Sequence, residues 1–437
     1  MRTTGLVPDA PLAWRERAMF AALFLVYLLF GGVLNSVGSV NLLAVQGLGV
    51  ARAEVALLDA YKDLPIALVS FLLASALPRL GLKRAMLIAL ALVAAASAAV
   101  PALSSFWAIK LFYVTAGVAF ALAKVSVYAS IGLVTRNASG HAGLTSLVEG
   151  MFMLGVLGGY ALFSRFSAGA ADALAWLGVF KVFAAVALAA FGLLLVVRMD
   201  ETPAHADAGP AAAAATLLDD FAAMLALLRR VMMAVFIGAT FLYVLIEQGV
   251  GTWLPSFNRE VLHLPTSMSV GLAVIMPAST ALGRLIGAAL MARWGWARVV
   301  RACLVAIGAL ILATVPLSRG VAPPAPDASW WHAPTVAYLL PLIGLFLAPI
   351  YPGIISALLT VLPRDRHAAA TGLIVIFSAL GGSFGSLVIG RLFVLFDGVT
   401  AFLMLIVPLA LLGLCLRLFC AQLRNTLTSA PSAHVRA

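Results

Sequence analysis

Long apolar runs alternate with short polar punctuation along the chain, and this alternation is its strongest signal. Bounded by charges, Pro or Gly, the runs predict helices near 18–46, 52–78, 84–103, 106–134, 141–166 and 172–198, then 231–257, 267–293, 297–317, 334–362, 366–394 and 399–420. A hydrocarbon core of ~30 Å takes ~20 residues to cross at 1.5 Å per residue, so each run is of spanning length. Between the sixth and seventh runs the pattern fails. From Asp200 to Arg230 the chain carries Thr202-Pro203, Asp207-Ala-Gly-Pro and poly-Ala, the composition of a linker, closing on an amphipathic stretch over Leu217–Leu228. The expected architecture is an all-α membrane protein with twelve transmembrane helices in two six-helix halves. Its parts are a tail over 1–17, an N-terminal half over 18–198, a linker over 199–230, a C-terminal half over 231–420 and a tail over 421–437.

Composition agrees with that pattern. Hydrophobic side chains make up 63% of the 437 residues and charged ones 10%, where soluble domains average ~25% charged. The net charge of +11 forms no arm or patch of the kind that binds nucleic acid; the basic residues punctuate the apolar runs. Eighteen of them, from Arg2 to Arg436, fall on one set of loops and tails, and only Arg52, Lys110, Arg165, Arg259, Arg319 and Arg391 on the other. Because Lys and Arg are retained on the cytoplasmic side, both termini are expected in the cytoplasm and the protein in the cell inner membrane. The first apolar run is too long for a signal-peptide core and is expected to stay as helix one. Cys303, Cys415 and Cys420 lie in apolar runs without metal-ligand spacing, so neither a disulfide framework nor a metal site is expected.

Two motifs recur at nearly equal spacing. Arg79-Leu-Gly81-Leu-Lys-Arg84, after helix two, returns as Arg293-Trp-Gly295-Trp-Ala-Arg298, after helix eight, 214 residues later. Asn35-Ser-Val-Gly-Ser39 in helix one returns as Gln248-Gly-Val-Gly-Thr252 in helix seven, 213 residues later. Equal offsets at equivalent places point to duplication.

Twelve helices in two parallel halves, a cytoplasmic linker and a basic turn after helices two and eight resemble the major facilitator superfamily over essentially the whole chain. Gly283-Arg-Leu-Ile-Gly287 through Arg298 is similar to that superfamily's loop signature, although Ala292 and Pro78 stand where its acidic residue is usual. That substitution removes the charge clasp the loop makes in many members. The resemblance implies a gating role for Arg79, Gly81, Arg84, Arg293, Gly295 and Arg298. Glu247 through Pro255, and Thr371-Gly372 to Gly385, resemble the fucose and hexose proton-symporter branch, except that Asn35 and Lys124 occupy helices in which that branch carries acids.

Ionisable groups at membrane depth cost ~2.5–3.5 kcal/mol each on insertion scales and persist when paired, solvated or useful. Asp59, Lys62 and Asp63 share one face of helix two, as a proton or solute site or as a local ion triad near the outer mouth. Lys124 and Glu149 fall at depths of roughly 18 and 12 Å below the cytoplasmic face, close enough to predict a buried pair that binds solute with Tyr128 or locks the half. Glu247 precedes Gly249-Val-Gly251, where helix seven is expected to bend or unwind, and is the first candidate for proton coupling, ahead of Asp63 and Asp59. Its alternative is a packing glutamate. Arg284 and Lys181 are read as structural anchors. Asn35, Gln248, Trp253 and Tyr351, with Lys62, Lys124, Tyr128 and Glu149, are the solute-binding candidates, offering amides, hydroxyls and an aromatic face.

Nothing in the sequence supports catalysis: there is no phosphate-cradling Gly-rich loop, no paired His at i and i+4 and no nucleophile elbow. No cofactor, metal or obligate protein partner is implied. The expected function is secondary transport of a small polar solute, possibly a sugar, by alternating access with protons as coupling ion. The rivals are a proton-driven exporter of an amphipathic compound and a non-transporting membrane sensor or assembly partner.

Overall fold

The computed structural model describes residues 14–134, 138–168, 172–197, 226–323, 329–362 and 367–429. Residues 199–225 of the proposed linker, 1–13 of the first tail and 430–437 of the second fall outside them. Among the described residues eleven stretches are helical and apolar enough to cross a membrane, from Arg17–Leu34 to Gly398–Gln422. The chain resolves into two compact units, one of residues 1–51 and 61–215, the other of residues 52–60 and 216–437.

The first unit is built from α1 (Trp14–Leu34), α2 (Val37–Leu48), most of α4 (Leu58–Leu80), α5 (Leu82–Leu103), α6 (Phe106–Val134), α7 (Ala138–Phe166) and α8 (Gly178–Val196). The predicted helix over 18–46 is therefore two helices. It breaks at Asn35–Ser36 because short polar side chains compete for the backbone there. The Asn35 amide nitrogen donates to the Gly31 carbonyl at 3.0 Å, and the Ser36 hydroxyl donates to that of Val33 at 2.6 Å. The freed Leu34 carbonyl accepts from the Lys62 ammonium at 3.3 Å. Irregular backbone at membrane depth persists only with such replacement partners.

The second unit takes in α3 (Arg52–Val55) and the first residues of α4, then α9 (Val231–Glu260), α10 (Thr266–Ala273), α11 (Ile275–Trp294) and α12 (Trp296–Ser318). After these come α13 (Val336–Leu339), α14 (Ile343–Leu347), α15 (Ile350–Val361), α16 (His367–Leu395), α17 (Gly398–Leu403) and α18 (Ile406–Ser429). The predicted helix over 334–362 is segmented where Pro341, Pro349 and Pro352 deny the backbone its donors. Helix seven, by contrast, does not unwind: α9 runs unbroken for 30 residues through Gly249 and Gly251. A Cβ at Gly249 would meet Ile389 at 3.0 Å and the Gly385 carbonyl at 3.4 Å, so this glycine serves close helix contact rather than a bend.

The same device holds each unit together. A Cβ at Gly155 of α7 would stand 1.9 Å from the Leu28 carbonyl of α1, and one at Gly159 would stand 3.1 Å from Gly32. On α16, Gly381 and Gly385 stand in the same relation to the Phe241 and Leu245 carbonyls of α9, at 2.5 and 2.2 Å. Leu28 and Gly32 lie 213 positions before Phe241 and Leu245, the step already found between the polar motifs of helices one and seven. The two basic turns also match in backbone, with Gly81 at φ 83°, ψ 142° and Gly295 at φ 79°, ψ 145°. Only glycine adopts that positive φ without strain.

Candidate functional site

In the first unit the break in helix one gathers a polar cluster. The Ser36 hydroxyl lies 2.8 Å from that of Tyr113, and the buried Lys62 ammonium lies 3.4 Å from the Asp63 carboxylate while donating to Leu34. Asp63 thus shares the load of keeping a charged lysine at this depth. Asn35 is exposed beside the break. Asp59 is fully buried and belongs to the second unit, where it accepts from the Thr252 hydroxyl at 2.7 Å. In the same unit, Arg52 and Glu260 form an ion pair at 2.8 Å.

Deeper in the first unit, α6 and α7 bring Tyr128 to Glu149, and the tyrosine hydroxyl donates to the carboxylate. Tyr27 of α1, buried, sets its ring edge-on to Tyr128 at 6.1 Å and also meets Phe152 and Phe120. The expected Lys124–Glu149 ion pair does not form. Lys124 instead lies over the Phe120 ring, 5.7 Å from its centroid, as a cation held by the face of an aromatic ring. Four residues on α6 separate Lys124 from Tyr128, and it is the tyrosine that points at Glu149.

In the second unit Glu247 has a comparable partner. One turn earlier on α9, the buried Tyr243 donates its hydroxyl to Glu247 at 3.0 Å. The Tyr351 ring of α15 stacks on Tyr243 at 5.3 Å. Arg284 of α11 supplies the opposing charge to Glu247 without a direct ion pair. Sequence reasoning passed over Tyr243 and read Arg284 as a structural anchor. The i, i+4 spacing of Tyr243 and Glu247 was the available signal for the first; for Arg284, which is exposed, no sequence signal separates a partner of Glu247 from a snorkelling side chain.

Other candidates go elsewhere. Trp253, 1% exposed, donates its indole N–H to the Ser386 carbonyl at 2.8 Å and stacks on Phe393 at 5.3 Å. It is a packing residue, with no ring face open to a solute. Gln248 is half-buried on α9. Arg84, Arg293 and Arg298 are exposed around the two glycine turns, while the Arg79 side chain lies outside the described residues. Lys83, beside that turn, donates to the Leu195 and Val197 carbonyls at 3.1 and 2.5 Å and so closes the C-terminus of α8. Among the described residues no cluster of His, Cys, Asp and Glu could hold a metal.

Comparison with known proteins now bears on this arrangement. Residues 20–386 match the family described as Major Facilitator Superfamily. The chain belongs to the major facilitator superfamily. Its members are transporters rather than enzymes, and this one is a multi-pass membrane transporter. No curated protein sequence matches it. Among solved structures, the nucleoside transporter NupG is 18% identical, with a TM-score of 0.69, covering 93% of this chain and 98% of that one. The E. coli fucose:proton symporter FucP is similar at 16% identity and TM-score 0.57, covering 92% of this chain and 98% of its own. A D-xylose-proton symporter follows at 15% and 0.65, with coverage of 92% and 97%. At these identities the likeness is one of fold.

Proposed function

We propose that this superfamily member moves a small polar solute, such as a sugar, by alternating access and couples the movement to protons through Glu247. The observation that carries the reading is the Tyr243–Glu247–Arg284–Tyr351 cluster, a carboxyl held by a tyrosine and faced by an arginine within the apolar helices of the second unit. Loading a proton on Glu247 cancels its charge against Arg284 and weakens the hold of both partners on the carboxylate. That gives two electrostatic states to one helix bundle, which alternating access needs. The solute is met chiefly by Asn35, Lys62, Tyr128 and Glu149 of the first unit. The fucose:proton and D-xylose-proton symporters among the structural neighbours agree with this class.

The basic-residue bias supports twelve spans with both termini in the cytoplasm of a cell inner membrane, α4 being the span beyond the eleven. The test is substrate-dependent alkalinisation of the medium around proteoliposomes, with a panel of sugars, nucleosides, organic acids and amines. The wild type is expected to take up protons with one solute class. Glu247→Gln is expected to keep solute counterflow while losing uphill uptake. Unaltered driven uptake in Glu247→Gln would remove Glu247 from the coupling step.

A further inference from the structure

We propose that the groove between α12 and α18 binds an anionic phospholipid, its headgroup phosphate held between Arg301 and Arg417 and an acyl chain laid along the groove. The cavity has a volume of about 1120 Å³ and lies entirely within the second unit, apart from both clusters described above. One end carries Trp296, Arg301 and Arg417; the rest is walled by aliphatic side chains such as Val305 and Ile406. The Arg301 Nε donates to the Ala297 carbonyl at 3.1 Å, one of five donors on that guanidinium, and fixes the group at the groove mouth. A second groove of about 570 Å³ on the other flank of α12 shares Arg301 and Val305 and adds Arg298. Among the described residues no acidic side chain lines either groove. Three guanidiniums therefore gather at one end of two apolar channels with no carboxylate among the described residues that line them.

Length points to the same occupant. From Arg417 to Ile406 along α18 is ~16 Å at 1.5 Å per residue, against ~15 Å for one leaflet of a ~30 Å hydrocarbon core. The groove is kept open by two glycines. A Cβ at Gly308 would meet only Leu409 and Ile406 side chains at 3.6 and 3.7 Å, and one at Gly413 only Leu304 at 3.8 Å. These are ordinary contacts, so neither glycine is demanded by helix packing, and both leave room where a chain would lie. Basic pockets between membrane helices select anionic headgroups, since a neutral phosphatidylcholine brings its own cation to the phosphate. A tryptophan at the headgroup level suits the interface.

The test is native mass spectrometry of the full-length protein in detergent, titrated with phosphatidylglycerol, phosphatidylcholine or inorganic phosphate. Phosphatidylglycerol is expected to be retained over phosphatidylcholine, with retention falling about fivefold for each arginine removed in Arg301→Gln and Arg417→Gln. Gly413→Phe, which fills the groove, is expected to lower retention of both lipids. Inorganic phosphate is expected not to displace bound lipid. If both lipids respond equally to the arginine changes, the side chains merely snorkel to the interface and the site is overturned. Full competition by inorganic phosphate would equally overturn it, as an anion site without a lipid. Should Gly413→Phe fail to fold, the Arg301→Gln/Arg417→Gln double variant, which changes only exposed side chains, decides the matter on its own.

Discussion

Glu149 is satisfied by a phenol rather than an ammonium, and this sets what its substitutions should do. Glu149→Gln keeps an oxygen that accepts from Tyr128 but removes the charge, whereas Glu149→Leu removes both. If the carboxylate reads the solute, both variants should weaken solute affinity by about ten- to a hundredfold, the scale of a hydrogen bond to a charged group. Isothermal titration with the transported solute checks this; wild-type affinity in Glu149→Gln would reduce the residue to an anchor for Tyr128. The sequence made Glu149 and Lys124 visible because charge at membrane depth is rare. It could not pair them, because helix rise gives depth and leaves azimuth open. One turn of α6 decided between Lys124 and Tyr128 as the partner. Trp253 shows the same limit from the other side: an aromatic residue near a polar motif reads as a binding face until its indole N–H is seen bonded to Ser386.

At the scale of elements, apolar runs located the helices well and their interruptions poorly. The break expected in helix seven is absent and one occurs in helix one, although both segments carry small polar residues. Gly249 is committed to packing against α16, whereas Asn35 and Ser36 have donors that replace helical bonds and Lys62 secures the carbonyl left over. Glycine alone is ambiguous between flexibility and close approach; a side-chain donor at the break is not. The Ser36 hydroxyl, buried and shared between Val33 and Tyr113, is the joint most open to testing. Ser36→Ala should destabilise the protein by about 0.5–1.5 kcal/mol, the range for the net loss of an intramolecular hydrogen bond. Thermal unfolding in detergent should show a lower Tm, with Tyr113→Phe milder because Ser36 still bonds Val33. An unchanged Tm in Ser36→Ala would mean the break is held by Asn35 and Lys62 alone.

For the molecule as a whole, the duplication is the feature that sequence and structure argue together. An offset of 213 noticed between short polar strings recurs on the α1 and α9 sides of the crossings of α1 with α7 and of α9 with α16, where glycines at 155, 159, 381 and 385, the second pair 226 positions after the first, admit the facing main chain. Polar strings drift, but a crossing that would place a Cβ 1.9 to 3.1 Å from a backbone atom tolerates little beyond glycine, so the packing carries the repeat more clearly than the motifs do. The glycine turns at 81 and 295, with near-identical dihedrals, extend it to the loops. Orientation in the membrane rests instead on the basic bias alone, and α12 offers a direct test. Trp294 and Ala322, both exposed, bracket this 23-residue helix, which at 1.5 Å per residue crosses ~35 Å. With Cys303, Cys415 and Cys420 replaced by alanine, Trp294→Cys should react with an impermeant maleimide in inside-out vesicles and Ala322→Cys in right-side-out ones. The reverse pattern would invert the topology and place the Arg298, Arg301 and Arg417 groove in the outer leaflet, with the positive-inside argument failing for this chain. Labelling of both positions from one side would mean that α12 does not span, and with it the reading of two parallel six-helix halves would fall.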